Sequence, residues 1–372
     1  MNYTIIKDSH TLQKVCEKAR QTDVIMLDTE FVRTRTFHPK LGLIQLYDGE
    51  QLVLIDPLEI DDMHSFADLL ADTSVMKILH ACGEDLEVFQ HVFGCVPTPM
   101  VDTQLMAAFL GYGLSTGFAA LVNDYLGIEL DKSESRTDWL ARPLTDKQLD
   151  YAAADVYYLL PLYQKLLVQV EETGWLEAAQ QESKLLVEKR LKTVKPEKAY
   201  LAVKGAWTLN PQQLAILKIM AKWRLEEAKQ RDLALNFILK EANMIEICRQ
   251  QMTSLQQMSD AGFDHREIRR HGNRVISMVK QGLETPESEW PEKITRLMDN
   301  PVYKQLFKTL KDVVKHASET SGLASEFLAS KKQINQFITW VWKHERNPEK
   351  LPDVMQGWRK EVVGNALNGK MQ

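Results

Sequence analysis

The spacing of short apolar runs constrains the fold of this chain more than any other feature of its sequence. Five runs of strand type occur in the first eighty residues, at residues 3–6, 24–30, 41–47, 51–55 and 75–80. The gaps between the second, third and fourth runs leave room only for hairpins, whereas a helical stretch around residues 63–71 leads to the fifth run. This alternation predicts an α/β domain whose sheet mixes antiparallel and parallel strands.

Helical patterns replace strand patterns after Gly83, and the second half of the sequence contains no convincing strand. The helical stretches cover residues 84–93, 103–111, 117–126 and 146–170, and Asp102 is predicted to be the N-cap of the second. A Lys-rich polar segment precedes Asn210 and Pro211, residue types that suit a helix N-cap and a first helical position. We therefore predict an α/β domain at 1–190, a linker at 191–209 and two helical domains at 210–290 and 291–372.

A degenerate repeat divides the helical half of the sequence. The segment that starts at Leu233, LALNFILKEANMIEI, aligns with the segment that starts at Leu323, LASEFLASKKQINQF. Each is followed by a glycine and an aromatic residue, Gly262-Phe263 and Gly357-Trp358. Chance similarity between amphipathic helices is the alternative, but the pattern favours two related helical modules.

Composition and motifs exclude several classes of protein. With 44% hydrophobic residues, 17 Gly and 13 Pro among 372 residues, the chain is neither disordered nor fibrous in composition. No apolar run approaches the roughly 18 residues of a membrane span, no signal peptide is recognisable, and the four cysteines have no zinc-type spacing. We expect reduced thiols in a soluble, cytoplasmic protein. The absence of a GxxxxGKS/T loop and of a nucleophile elbow excludes a nucleotide-triphosphate motor and a Ser/His/Asp hydrolase.

Charge is distributed unevenly along the chain. Residues 1–200 contain 19 Lys and Arg against 31 Asp and Glu, whereas residues 201–372 contain 27 against 20. Two basic groups stand out in the second half: Arg266, Arg269, Arg270 and Arg274, and Lys304, Lys308, Lys311 and Lys315 at helical spacing. This asymmetry is expected if the first part binds cations and the second approaches phosphates, although ordinary surface variation would also produce it.

Two carboxylates end the second apolar run, VIMLDTEF. Successive side chains of a strand point to opposite faces, so Asp28 and Glu30 are predicted to share one face. Like charges that close raise a carboxyl pKa and cost stability unless a cation lies between them. The pair is therefore a candidate metal site, although acidic residues are also common in turns.

Two helical segments supply further candidates. In DYAAADV, Tyr151 and Asp155 are four residues apart on one helix face, and the three alanines between them allow close packing against the acidic strand. Surface hydrogen bonding of this pair is the alternative. Asp85 shares a helix face with Val88 and Phe89, which predicts a carboxylate turned partly toward the core.

The order and spacing of these acidic residues resemble a known enzyme family. Asp28-Thr29-Glu30, Asp85, and Tyr151 followed four residues later by Asp155 are similar to the three motifs of the DEDD 3′–5′ exonucleases, in the subgroup with Tyr in the last motif. The longer segments LDTEF, HACGEDL, DTQLMAAFL and RTDWLARPLTDKQLDYAAADVYYLLPLY resemble the bacterial ribonuclease D family. The helical half resembles two HRDC (helicase and ribonuclease D C-terminal) modules. The resemblance implies an α/β ribonuclease H-like mixed sheet domain, as in proofreading exonucleases, followed by all-α helical HRDC modules.

The resemblance also implies a site for two divalent ions. Four carboxylates without a His or Cys ligand form a hard oxygen site, which suits Mg²⁺ or Mn²⁺. By resemblance, Asp28 bridges both ions, Glu30 and Asp155 complete the first, and Asp85 reaches the second. Tyr151 is expected to orient the attacking water, because a phenol with a pKa near 10 is a poor base at neutral pH.

Candidate substrate contacts surround this site. The family resemblance implies that Thr29 and Phe31 line the pocket for the terminal nucleotide. Lys132, Arg136 and Arg142 lie in the loop before the Tyr151 helix and are candidate phosphate contacts, although single basic residues are more often ordinary surface charges.

The expected activity is 3′–5′ exoribonucleolytic release of nucleoside 5′-monophosphates. The expected partner is RNA with a free 3′ end, with precursor tRNA implied by the family, and the expected enzyme is a monomer that does not associate with membranes. Two alternatives remain open from the residues. A 3′–5′ DNA exonuclease has the same metal site, and an RNA-binding scaffold that no longer cleaves would share the fold.

Overall fold

The computed structural model describes residues 1–371, whose strands form one six-stranded sheet. The strands are β1 (Thr4–Ile6), β2 (Val24–Val32), β3 (Lys40–Tyr47), β4 (Leu52–Ile55), β5 (Met76–Leu79) and β6 (Met100–Asp102). Their order across the sheet is β1-β4-β3-β2-β5-β6. β2, β3 and β4 pair antiparallel, whereas the β1–β4, β2–β5 and β5–β6 pairs are parallel. The predicted mixed sheet and its antiparallel meander are confirmed.

Helices account for most of the remaining described chain. In the first half they are α1 (Ser9–Ala19), α2 (His64–Ala71), α3 (Asp85–Phe93), α4 (Thr103–Phe109), α5 (Phe118–Leu126), α6 (Asp146–Tyr157), α7 (Leu159–Glu172) and α8 (Leu176–Leu191). In the second half they are α9 (Pro211–Gln230), α10 (Leu235–Ile238), α11 (Glu241–Gln250), α12 (Leu255–Asp260), α13 (His265–Leu283), α14 (Tyr303–Ser321), α15 (Ser325–Leu328), α16 (Lys331–Lys343), α17 (Gly357–Arg359) and α18 (Asn365–Gly369), with a π-helical turn at Lys360–Gly364. Short 3₁₀ helices cover Pro196–Ala202, Ala206–Thr208, Glu287–Glu289, Leu297–Asp299, Pro348–Lys350 and Asp353–Met355. Among residues 1–371, no helix combines the length and the apolar character that a membrane crossing needs.

Two predictions of secondary structure were wrong. The expectation that strands end before Gly83 missed β6, whose three residues are too few to show a period in the sequence. Asp102 ends this strand and also caps α4, as predicted, by accepting the backbone N–H of Gln104 at 2.8 Å. The helix predicted at 146–170 is divided at Tyr158, because Pro161 lacks an N–H and fits best in the first turn of a new helix.

The two faces of the sheet have different partners. One face packs against α1, α2 and α3 through a core that includes Leu27, Ile44 and Phe66. The other face is covered by α6, which lies across β2, β3 and β4. Because side chains alternate along a strand, Asp28 and Glu30 belong to the face under α6.

The chain forms two compact units that do not follow its order in sequence. One unit joins the sheet domain (Met1–Val32 and Lys40–Leu191) to the chain from Pro301 onward, and the other joins Lys192–Asn300 to Arg33–Pro39. The domain limits at 190, 209 and 290 stay predictions, because these units group segments that are distant in sequence. Gln372, the end of the last predicted domain, lies outside the described residues.

A buried ion pair holds the C-terminal module against the sheet domain within the first unit. The Arg359 guanidinium, 4% exposed, donates to the carboxylate of Glu182 on α8 and also to the backbone oxygen of Phe327. The Trp358 indole N–H donates to the same carboxylate at 3.1 Å. The Trp358 ring also packs against Phe109, with ring centroids 4.9 Å apart, so that apolar and ionic contacts act together.

The two helical modules share one pattern of elements. α10 and α11 begin at residues 235 and 241, and α15 and α16 begin at 325 and 331, a constant offset of ninety residues. Each pair follows a long helix, α9 or α14. The structure therefore confirms that the sequence repeat represents two related modules.

The β2–β3 connection belongs to the second unit. The backbone N–H groups of Phe37 and His38 both donate to Asp232 Oδ1, at 3.1 and 3.0 Å. The Ala234 N–H donates to the Arg35 carbonyl at 2.8 Å, and the Arg35 guanidinium lies 5.2 Å from the Phe237 ring centroid. A connection that the sequence predicts as a simple hairpin loop is thus part of a helical module.

Candidate active site

The acidic residues lie where β2 extends beyond its parallel neighbour. β2 pairs with β5 only from Val24 to Met26, while its antiparallel pairing with β3 continues to Val32. Asp28 and Glu30 therefore lie past the carboxyl end of β5, a position where α/β sheets commonly bind ligands. α3 begins at Asp85, shortly after β5 ends at Leu79, so that its first turn reaches this opening.

Thr29 joins the acidic strand to α3. Its side chain lies on the face opposite to that of Asp28, and its hydroxyl donates a hydrogen bond to the buried carboxylate of Asp85. Phe31, the other residue expected to line a nucleotide pocket, is half-buried and packs against the core of the sheet domain. Both side chains therefore already have structural contacts, and their roles toward a nucleotide stay predictions.

α6 brings Tyr151 and Asp155 to the acidic strand. Its first residue is fixed by a capping box, in which Thr145 Oγ1 accepts from the Gln148 N–H at 3.2 Å and Gln148 Oε1 accepts from the Thr145 N–H at 3.0 Å. Ala152 and Ala153 are fully buried, and their small side chains allow the helix to pack closely against β2, β3 and β4.

Three of the predicted carboxylates form a tight cluster. Asp28, Glu30 and Asp155 each present an oxygen within 4.8 Å of the others, a spacing that suits a shared metal ion. Asp85 lies outside this group but close enough to raise the pKa of Asp28 by charge repulsion. The arrangement divides the four acidic residues into a cluster of three and a fourth carboxylate beside it.

Burial raises the pKa of all four carboxyl groups. The pKa of Asp28 rises well above its ordinary value, first by burial and then by repulsion from Asp85, Asp155 and Glu30. Burial and repulsion from Asp155 and Asp85 raise the pKa of Glu30 to about 9. Burial raises the pKa of Asp155 to about 7. Burial also raises the pKa of Asp85 to about 6, although hydrogen bonds from the Thr29 hydroxyl and from a backbone N–H favour the charged form of this carboxylate.

This cluster contains no built-in counter-charge. In the part of the chain that the structure describes, no Lys or Arg forms an ion pair with Asp28, Glu30, Asp85 or Asp155. Buried carboxylates without a cation normally become neutral or bind a metal. The donor set, oxygen only, is of the kind that holds a divalent metal ion.

Tyr151 is placed as a hydrogen-bond donor and not as a base. Burial, then the charges of Asp155, Glu30 and Asp28, raise the pKa of its phenol further above its ordinary value. A hydrogen bond from this phenol in turn lowers the pKa of Asp155. The Tyr151 hydroxyl therefore keeps its proton at neutral pH.

A recess of about 250 Å³ leads to Tyr151 and Asp155. It is also lined by Leu130, Asp131, Glu134, Lys147, Asp150 and Ala154. Lys132 and Arg136 belong to the same loop region before α6 and are exposed. Their predicted contacts with phosphates stay predictions. Lys147 is a further basic residue at this recess and was not among the predicted site residues.

The structure argues against the predicted phosphate contact of Arg142. Its guanidinium makes a two-pronged ion pair with the buried Asp56, at 2.6 Å from both Nε and Nη2. The remaining N–H groups donate to the carbonyls of Gly42, Trp139 and Ala141. A guanidinium has five N–H donors, and all five are used, so that none remains for a phosphate.

Two buried residues next to the site are not among those predicted from the sequence. Trp139 is 1% exposed and packs against Tyr151, with ring centroids 6.1 Å apart. Gln45 is fully buried and lies directly opposite Asp28 in the β2–β3 pairing. Signals for both are visible in the sequence: a tryptophan within a polar loop, and one glutamine inside the apolar strand LGLIQLY.

Family models match three parts of the chain. A 3′–5′ exonuclease model matches residues 3–171, an HRDC model matches residues 213–279, and a ribonuclease D C-terminal HRDC model matches residues 301–367. These matches agree with the two helical modules seen in the structure.

Curated relatives match along their whole length. Ribonuclease D of Serratia proteamaculans is 51% identical over 367 residues, which cover 99% of this chain and 98% of that protein. Ribonuclease D of Escherichia coli is 47% identical over 372 residues, or 100% and 99% of the two chains. The crystal structure of the Escherichia coli enzyme superposes with a TM-score of 0.96 over 100% of this chain and 99% of that one.

These similarities decide among the alternatives that the motifs leave open. They extend through the helical half of the chain, beyond the motifs that RNA and DNA exonucleases share, and therefore favour an exoribonuclease over a DNA exonuclease. They also favour an active enzyme over a scaffold that no longer cleaves. The chain therefore belongs to the ribonuclease D family of hydrolytic 3′–5′ exoribonucleases.

Proposed function

We propose that this exoribonuclease depends on two divalent metal ions, Mg²⁺ or Mn²⁺, held by Asp28, Glu30, Asp85 and Asp155. The observation that carries the proposal is the cluster of buried and half-buried carboxylates, which has no Lys or Arg partner among the described residues. Oxygen-only ligands suit these hard cations. The cluster of Asp28, Glu30 and Asp155 supports one shared ion, and Asp85 beside Asp28 supports a second.

The protein groups have separate tasks in the proposed reaction. When bound, two such cations activate a water and stabilise the departing 3′ oxygen during in-line displacement at phosphorus. The carboxylates fix the positions of the cations, and the product is a nucleoside 5′-monophosphate. Tyr151 orients the water by hydrogen bonding, since its raised pKa removes it as a base.

The proposed substrate is a structured RNA with a single-stranded 3′ end. The Escherichia coli relative is described as an exoribonuclease involved in structured RNA processing. We extend this substrate class to the present chain, including the 3′ maturation of precursor tRNA. Lys132 and Arg136 are proposed phosphate contacts, and Thr29 and Phe31 are proposed to contact the terminal nucleotide. We also propose that the enzyme acts in the cytoplasm as a monomer, which light scattering of the purified protein tests.

Digestion of a 5′-labelled RNA that has a duplex stem and a 3′ tail tests this proposal. We expect a ladder that shortens from the 3′ end with Mg²⁺ or Mn²⁺ and is absent with chelator or with Asp28→Ala. Glu59→Ala, which removes an exposed carboxylate of the same domain, is the matched control and should retain the ladder. Shortening that persists in chelator would contradict metal dependence, and a matched DNA substrate measures the preference for RNA.

The basic residues of the helical modules are proposed to supply affinity. Lys304, Lys308, Lys311 and Lys315 are all exposed along α14, and Arg266, Arg269 and Arg270 are exposed on α13. Each phosphate contact with a single strand contributes about 0.7 to the slope of log affinity against log salt concentration. We expect Lys→Gln replacement at all four α14 positions to reduce this slope while kcat is retained. An unchanged slope would assign these lysines to an ordinary solvated face.

A further inference from the structure

The side-chain amide of Gln45 is buried in the sheet without a hydrogen-bond partner within residues 1–371. The residue is 0% exposed, and neither its amide nitrogen nor its amide oxygen has a hydrogen-bond partner in the described chain. Buried side-chain amides in folded proteins are nearly always hydrogen-bonded. An unpaired one costs stability, so its presence calls for a compensating role.

Strand register places this amide beside the acidic cluster. In the sheet, Gln45 is directly opposite Asp28 on one side and Leu54 on the other. Directly opposite residues have Cβ atoms about 4.5–5.5 Å apart on the same face of the sheet. Asp28 is thus the polar member of this pair of neighbours, within reach of a glutamine side chain.

Two of the neighbours of Gln45 within the sheet, Leu43 and Leu54, are apolar and offer the amide no partner. The neighbouring position on the same face of β3, Leu43, is fully buried and pairs with Glu30. The helix that packs on this face, α6, contains the buried Ala152 and Ala153, which have no polar side-chain atom, and its polar residues Tyr151 and Asp155 belong to the same acidic site as Asp28. Asp28 itself receives a backbone hydrogen bond from Thr29, and this does not occupy all the acceptor positions of a carboxylate.

We propose that Gln45 is a positioning residue for Asp28, whose side-chain N–H donates to the Asp28 carboxylate when the site holds its metal. A donated hydrogen bond favours the charged carboxylate and fixes its orientation toward the cations. The inference rests on the proposed metal site. In the metal-free protein the unpaired Gln45 amide lowers the free energy of unfolding. This loss is recovered when the charged Asp28 carboxylate binds the metal and accepts the hydrogen bond.

Replacement of the amide by an apolar side chain of similar size tests this assignment. For Gln45→Met, we expect metal-free protein with equal or higher thermal stability, because the unpaired amide is removed. We expect calorimetric affinity for Mn²⁺ to fall about 10–100-fold, the usual effect of losing an outer partner of a metal ligand. The Mg²⁺ concentration required for half-maximal activity should rise in parallel, with little change in the KM for RNA.

Leu54→Met is the matched control, since it changes the other neighbour of Gln45 in the same layer. A Gln45→Met protein that binds Mn²⁺ as tightly as Leu54→Met does would overturn the proposal, whatever its stability. Gln45→Leu, measured in the same way, provides the second variant if Gln45→Met does not fold. Failure of the wild-type protein itself to bind Mn²⁺ would instead overturn the metal site on which the inference rests.

Discussion

Two groups of carboxylates in this molecule differ in how their charge is balanced. Asp56 and Glu182 are each paired with an arginine, Arg142 and Arg359, and both arginines also donate to backbone carbonyls. In the acidic cluster, Glu30 and Asp85 are buried and Asp28 and Asp155 are half-buried, and none of the four has a Lys or Arg partner in the described chain.

This difference distinguishes carboxylates that stabilise the fold from carboxylates that are proposed to act in the reaction. A carboxylate paired with an arginine is neutralised when the chain folds, so the pair fixes the fold at a cost in desolvation. The cluster has no such partner in the described part of the chain, and in the proposed function its charge is balanced by cations that the chain does not supply. We therefore expect variants of the two settings to separate stability from activity.

The largest effect is expected for Asp28→Ala. Loss of one electrostatic contact in an active site commonly costs about 10²–10³ in rate, and Asp28 is proposed to contact both cations, so we expect a loss of about 10³-fold or more in kcat. The metal-free variant should unfold at a higher temperature than the wild type, because repulsion in the cluster is reduced. Single-turnover RNA hydrolysis and thermal unfolding measure the two quantities, and a variant that keeps its activity would refute the assignment.

Arg359→Met is expected to affect stability and leave the chemistry intact. Removing one member of a buried ion pair leaves an uncompensated charge and costs about 3–5 kcal/mol in the free energy of unfolding. The double variant Arg359→Met with Glu182→Leu should recover much of this loss, since both charges are then removed. Urea unfolding provides the measurement, and equal losses in the single and double variants would indicate that packing, not charge, holds the module.

The stability of the metal-free protein should depend on pH in the direction set by the cluster. Folded-state pKa values of about 6 for Asp85, 7 for Asp155 and 9 for Glu30 exceed their ordinary values. These groups therefore contribute stability that is present below about pH 4 and is lost as pH rises toward 9. We expect the unfolding midpoint to fall by roughly several degrees over this range. Added Mg²⁺ should reduce the fall, and Asp155→Asn should flatten it, so a wild-type midpoint that is independent of pH would contradict the assignment.

Tyr151→Phe is expected to have the smallest effect. If Tyr151 orients water and supports Asp155, loss of its hydroxyl should reduce kcat about 10–100-fold, as for other groups that position a metal site. The KM for RNA should change little. Single-turnover rates measured beside Asp28→Ala test this, and equal losses in the two variants would favour an essential proton transfer by the phenol.

Sequence patterns predict the local parts of the fold well. The period of two in VIMLDTEF predicts that Asp28 and Glu30 share a face, and the hairpin spacing predicts the antiparallel meander. The ninety-residue repeat predicts two related helical modules, which the structure shows. β6 was missed because three residues carry no recognisable period.

Contacts between distant parts of the chain were not accessible in the same way. Arg142 lies in a polar loop and was expected at the RNA, but its partner Asp56 is 86 residues away in sequence. Arg359 and Glu182 are 177 residues apart, and no local pattern links them. Gln45 differs from its apolar strand neighbours in sequence, but only the pairing register shows that it faces Asp28.

The sequence by itself determined the fold class, the repeat and the identity of the acidic residues, because periodicity and residue chemistry are local properties of a chain. The tertiary structure alone decided which charges are neutralised by arginines and which remain available to a metal. It also decided that the C-terminal module packs with the sheet domain. Burial and pairing depend on which distant segments meet, and these properties divide chemically identical carboxylates into parts of the scaffold and parts of the candidate active site.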